Sequence, residues 1–147
     1  PYGDFKYKPN TFKYILMICQ GTAIAPMFSI IDEILNNEED DSRIMLYYCC
    51  KDLDNIILRN ELYKFRLYWN FSYEIYLSSV PYDNGSLKKY LKYKECINNK
   101  KLCDVDVKDY LLNKDKACVL IAGSERFMFD FDNIVQKCNV ENIFLFT

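Results

Sequence analysis

The stretch from Cys19 to Met27, CQGTAIAPM, decides how this chain folds. It separates an apolar run, YILMI (14–18), from a second one, MFSIIDEIL (27–35). In the second run Met27, Ile30, Ile31 and Ile34 recur at i, i+3, i+4 and i+7, the spacing of one helix face. The order is therefore strand, tight turn, helix. The turn itself has two physical readings. Gly and Ala at a helix start let an anion approach the free N–H groups and the positive end of the helix dipole. The same residues also make an ordinary strand-to-helix turn, with Pro26 in the first helical turn, where its missing N–H costs nothing. The stretch is neither G-x-G-x-x-G nor a P-loop, since no G-K-[ST] follows.

Further out, apolar, β-branched and aromatic runs predict strands at 13–19, 43–49, 72–78, 117–122 and 142–146. Helical spacing predicts helices at 26–36, at 54–67 (Ile57, Leu58, Leu62 and Phe65 on one face), at 105–112 and at 127–138. Strands alternating with helices imply βαβ units. The expected fold is α/β, a three-layer open parallel sheet of about five strands with helices on both faces. In such sheets ligands sit at the carboxyl ends of the strands. A second small-residue turn, AGSERF (122–127), occupies such an end after the fourth predicted strand. NNEEDDS (36–42) reads as a solvated acidic connection, and 80–101 as a surface excursion with one helix.

Half of the 147 residues are apolar, enough for the core of one domain. Lys+Arg 19 against Asp+Glu 21, interleaved, argues against a basic nucleic-acid-binding face. No apolar run reaches the length that spans a bilayer. The first residue is Pro, which sets the expectation of a piece of a longer polypeptide. With no histidine, Ser-His-Asp and Cys-His catalysis are excluded. Seven cysteines, an odd number without C-x-x-C, are expected to be reduced, buried and inert, in a cytoplasmic or cytosol-facing protein. Cys49 and Cys50 should face opposite sides of one strand. Arg59 and Glu61 read as solvated or a local ion pair. Trp69 reads as a packing anchor, most of the 13 tyrosines as core-facing, and the acid pairs 38–39 and 40–41 as a loop without a cleft.

Five segments, PYGDFKYKPN (1–10), QGTAIAPM (20–27), LYYCCKDLDNIILRNEL (46–62), VLIAGSERF (119–127) and IFLF (143–146), stand in an order and spacing that resembles the pyridine-nucleotide domain of the ferredoxin-reductase-like flavoenzymes, in particular the NADH–cytochrome b5 reductase-like group. The resemblance covers nearly the whole chain and is poorest over 80–101. It implies that residues 1–147 form an NAD(P)-binding domain. Residues 1–10 would then join it to an N-terminal FAD-binding barrel whose R-x-[YF]-[ST] motif this chain lacks. Gly21, Thr22, Ala23, Pro26 and Met27 would lie along the pyrophosphate and nicotinamide. Cys50, Lys51, Asp52, Asp54 and Asn55 would receive the adenosine ribose, and Gly123, Ser124 and Phe127 would flank the nicotinamide half. Gly3, Phe5, Thr22 and Phe146 would lie near the flavin. Thr22 and Ala122 would position hydride transfer, with no nucleophile, base or metal.

Four positions depart from the family pattern. Ala23 replaces its second glycine, Gln20 the glycine before the motif, and Ala122 the cysteine beside the nicotinamide. Asn55 stands where an acidic residue binds the ribose 2′-hydroxyl, with Asp54 one place off register. NADH is favoured over NADPH, with no Arg taken to pair with a 2′-phosphate there. The implied activity is that of the NAD(P)H-binding half of a flavin-dependent oxidoreductase, with a haem protein as a possible one-electron acceptor. The alternative is a degenerate, non-catalytic nucleotide-binding fold kept as an interaction module.

Overall fold

The computed structural model describes residues 6–79 and 84–146, so the expected junction residues Gly3 and Phe5 lie outside the described residues. Among the described residues six strands form one sheet: β1 (Tyr14–Gln20), β2 (Arg43–Cys50), β3 (Phe71–Leu77), β4 (Ile97–Asn98), β5 (Ala117–Ala122) and β6 (Asn142–Phe146). Their order is β4-β3-β2-β1-β5-β6, and every neighbouring pair is parallel. Five strands were expected from the sequence. The sixth, β4, has two residues, too few for any periodicity to show, and pairs Ile97 with Ile75.

Side chains alternate across this sheet, and both faces are buried. On one face Ile15, Met17, Leu46, Tyr48, Ile75 and Leu120 pack under α1 (Ile24–Leu35) and α2 (Arg59–Phe65). On the other, Leu16, Ile18, Val119 and Ile121 pack under α4 (Asp104–Leu111) and α5 (Glu125–Gln136). The remaining helix, α3 (Asn84–Leu87), is a single turn inside the segment read as an excursion. Met27, Ile30, Ile31 and Ile34 all face the core, as their spacing predicts. Cys50 and Cys49 fall on opposite faces.

Several expectations are corrected. The helix predicted over 54–67 begins only at Arg59. Asp52 caps a short turn at Leu53–Asn55, and Leu58 takes a left-handed φ of 61° that interrupts any continuous helix. Arg59 does not pair with Glu61: its guanidinium holds the fully buried Glu95 carboxylate at 2.6 and 2.9 Å. Trp69 is 66% exposed with Arg43 over its ring, so it anchors no core. Four tyrosines (47, 48, 73, 76) are buried, but Tyr68, Tyr90 and Tyr93 are exposed. Cys96 and Cys103 are also exposed, their thiols directed at Glu74 and Asp106.

The acidic connection is not wholly solvated either. Asp40 is 3% exposed and accepts from the Tyr7 hydroxyl and from the N–H groups of Asn10 and Ser42. The Ser42 hydroxyl donates to the Phe12 carbonyl, and Asn70 donates to the Ser42 carbonyl. The amino ends of β1, β2 and β3 are thereby closed by a satisfied polar network.

Candidate functional site

The opposite, carboxyl ends of the strands remain open. The strand order turns around at β1, which pairs with β2 on one side and β5 on the other. The crevice at such a reversal is where open α/β sheets bind ligands. Its first wall is the opening motif. Gln20 ends β1 in extended backbone, and Gly21 turns with φ +57° into a single 3-10 turn that leads to α1. No atom lies within 4 Å of a Cβ built at Gly21, so the left-handed backbone, not crowding, calls for glycine. Ala23 is the N-cap of α1 and offers no side-chain cap, and the first helical N–H, that of Ile24, donates back to the Gly21 and Thr22 carbonyls. Its methyl packs partly against the core cluster.

A buried tyrosine holds this turn. The Tyr48 hydroxyl donates to the Gly21 carbonyl at 2.9 Å and accepts the Ile57 N–H at 3.3 Å. It ties the turn after β1 to the loop after β2. Burial pushes its phenol well above the ordinary range, so it stays protonated.

The second wall follows β5. Ser124 caps α5 by accepting the Phe127 N–H at 3.2 Å. Gln20 reaches across, and its Oε1 accepts the Ser124 N–H at 3.2 Å. Gly123 lies beneath this contact. A Cβ there would stand 2.7 Å from the Phe127 ring and 3.1 Å from both Cβ and Oε1 of Gln20. Close approach, not φ, demands glycine here.

Two clefts meet at these walls. The smaller, about 520 Å³, is lined by Ala23, Pro26, Ala122, Gly123 and Phe146, among others. The larger, about 620 Å³, runs over the ends of β2 and β3 and is lined by Lys51, Asn55, Tyr76, Ser78, Lys101 and Phe127, among others. Gln20, Gly21, Thr22 and Ser124 line both, so the Gln20–Ser124 bridge stands at their junction. Of the residues expected at the site, Gly21, Thr22, Ala23, Pro26, Lys51, Asn55, Ala122, Gly123, Ser124, Phe127 and Phe146 come together here. Met27 does not, being fully buried in the core. Asp52 and Asp54 line neither cleft. Asp52 instead accepts both the N–H and the side-chain amide of Asn55, at 3.1 and 2.6 Å.

Sequence reasoning missed several charged or polar contributors, Asp130 of α5 among them. Ser78 follows β3, a strand end that the same carboxyl-edge rule could have flagged. Arg126 lies inside the AGSERF motif and was passed over. Lys101 comes from the connection before α4, and no local pattern points to it. Cys49 and Cys50 also reach the larger cleft, each with its thiol pushed up to about 12 by burial first of all, which keeps them from acting as thiolates.

Comparison with known proteins agrees with this fold. The model of the oxidoreductase NAD-binding domain matches residues 17–133. Human NADH-cytochrome b5 reductase-like is 39% identical over 70 residues, which is 48% of this chain and 22% of that protein. NADH-cytochrome b5 reductase 1 of Candida albicans is 46% identical over 65 residues, 44% of this chain and 22% of that protein. Among solved structures, the CS-b5R domains of human Ncb5or in its NAD+ form share the fold with a TM-score of 0.73 at 20% identity, over 98% of this chain and 40% of that one. The cytochrome b5 reductase domain of Ulva prolifera nitrate reductase does so with a TM-score of 0.68 at 20% identity, over 92% of this chain and 50% of that one. The chain thus spans well under two thirds of the relatives it matches. With most of its length matched and the crevice at the expected strand ends, the chain belongs to the oxidoreductase NAD-binding domain family.

Proposed function

We propose that this chain is the NAD(P)H-binding half of a flavin-dependent reductase similar to NADH–cytochrome b5 reductase. The observation that carries this reading is the pair of clefts meeting at one strand reversal, sized together for a dinucleotide and walled by two helix starts. When bound, NADH supplies a hydride to a flavin held by a neighbouring FAD-binding barrel.

The chain's own residues bind and orient. The turn at Gly21 and Thr22 presents backbone N–H groups to the pyrophosphate. Lys51 and Asn55 receive the adenosine ribose in the larger cleft, and Gly123, Ser124 and Phe127 form the wall facing them. Thr22, Ala122 and Phe146 line the smaller cleft and would hold the nicotinamide for hydride transfer to a flavin. Hydride transfer depends on close stacking of two rings and needs no general base, which accords with a chain without histidine.

On this reading residues 1–147 form one domain, residues 1–10 lead to the flavin domain, and a cytosolic haem protein accepts the electrons singly. Among the described residues no helix is long and apolar enough to cross a membrane. Titration with NADH, followed by nucleotide fluorescence and by thermal shift, tests the proposal. Saturable binding with a rise in Tm is expected, without turnover until a flavin domain is supplied. No stabilisation at millimolar NADH overturns it in favour of a non-catalytic module.

A further inference from the structure

The strap that leads from α3 to β4 carries the sequence KKYLKYK (88–94), four lysines and two tyrosines without an acid. It lies in the stretch that resembles the family least. Leu87 is buried and Leu91 packs against the core, while Lys88, Lys89, Tyr93 and Lys94 are exposed. Residues of α2 hold the strap in place. The Arg59 guanidinium donates to the Tyr90 carbonyl at 2.7 Å. The Tyr63 hydroxyl donates to the Tyr93 carbonyl at 2.7 Å, and the Lys92 ammonium donates to the Asn60 side chain. Helix and strap therefore present one joint surface.

Cations lie over rings across it. Arg66 is 4.0 Å and Lys92 5.1 Å from the centre of the Tyr63 ring, and Lys94 is 5.4 Å from that of Tyr93. Among the described residues, none of Arg66, Lys92 and Lys94 forms an ion pair. The acid that ends the strap, Glu95, is fully buried against Arg59. Glu61, two residues before Tyr63, falls on the far side of the helix. Just beyond Arg66, the turn into β3 exposes Leu67 at 78%, and Trp69 stands out with Arg43 over its indole. Exposed Leu and Trp beside unpaired cations suit the headgroup layer of an anionic membrane, where apolar groups enter and cations meet phosphates. Stacked bases would need open ring faces, and Tyr63, Tyr93 and Trp69 each already carry a cation over the ring.

We propose that α2, the turn after it and the strap form a docking face for an anionic lipid bilayer. Arg66, Lys92 and Lys94 meet the lipid phosphates, and Leu67 and Trp69 reach the acyl boundary. None of these residues lines either nucleotide cleft, so the face acts independently of the nucleotide reading.

Trp69 is the chain's single tryptophan, so its emission reads the face directly. The full chain should co-sediment at least tenfold more with phosphatidylcholine vesicles containing about 30% phosphatidylserine than with phosphatidylcholine alone, and its emission should shift to the blue. Binding should fall severalfold at about 0.5 M salt, where exposed charges are screened. Lys92→Glu/Lys94→Glu should weaken it tenfold or more. Leu67→Ser, which alters an exposed side chain and leaves the fold intact, should remove most of the blue shift. NADH binding should be the same in every variant. Absence of binding at millimolar anionic lipid overturns the proposal, as does binding that neither variant weakens. Tighter binding to single-stranded poly(U) than to the vesicles, weakened by the same lysine variant, also overturns it and gives the face to nucleic acid.

Discussion

The two ends of the sheet treat their polar groups in opposite ways. At the amino ends of β1, β2 and β3, Asp40, Ser42, Asn70 and Tyr7 spend their hydrogen bonds on one another and on the backbone. At the carboxyl ends, Thr22, Lys51, Asn55 and Lys101 border an open crevice. One end is built to be satisfied before any ligand arrives, the other to be satisfied by one. Stability and binding should therefore respond to different substitutions.

Removing the buried carboxylate tests the closed end. Asp40→Ala leaves the Tyr7 hydroxyl and two N–H groups without their acceptor and should cost about 3 kcal/mol in urea unfolding. Nucleotide affinity, normalised to the folded fraction, should not change. A tenfold loss of affinity would erase the division between the two ends.

Acid should weaken the closed regions next. Burial pushes the Asp40 carboxyl up, but the Tyr7, Ser42 and Asn10 donors outweigh it and hold its pKa below the ordinary carboxylate range. Glu95 is likewise lowered, with burial opposed by Arg59 and the Lys92 N–H. A carboxylate with a depressed folded-state pKa contributes stability that is present above its unfolded pKa and lost as pH falls through the folded value. The urea midpoint should hold from neutral pH to about pH 5 and then decline toward pH 3. Asp40→Asn should flatten that decline.

Tyr48→Phe addresses the open end. It removes the hydroxyl that joins the Gly21 carbonyl to the Ile57 N–H and should cost about 1–2 kcal/mol of stability. NADH affinity should fall severalfold as the turn loosens. An unchanged dissociation constant would show that the turn holds its shape without the tyrosine. The smallest expected stability change is that of Gln20→Gly, about 0.5–1 kcal/mol from backbone entropy. Clearing the junction of the clefts should tighten NADH binding, and weaker binding would mark the Gln20–Ser124 bridge as part of the site.

The architecture was legible because it rests on long, two-sided apolar strands such as ACVLIA and YILMICQ, which leave little choice of element. Local chemistry was legible where a turn demands it, as at Gly21 and Gly123. What stayed hidden depends on distance in sequence. Lys101 reaches the cleft only because β4 and the connection after it lie beside β3. Glu95 is buried only because Arg59 is there to pair with it. The break before α2 arises from Asp52 and Leu58 acting on a stretch whose apolar spacing reads as continuous helix.

The Gln20–Ser124 bridge joins residues 104 positions apart, whereas β1 meets β2 across 29, as Gln20 does with Cys49. Closing the longer loop costs about 1 kcal/mol more in chain entropy. Ladders β1–β2–β3 and β5–β6 pair nearer partners, so the seam between them is expected to close late. The nucleotide crevice lies on that seam. In refolding, far-UV signal should return before the chain regains the ability to bind NADH, which makes the ligand a clock for the final assembly step.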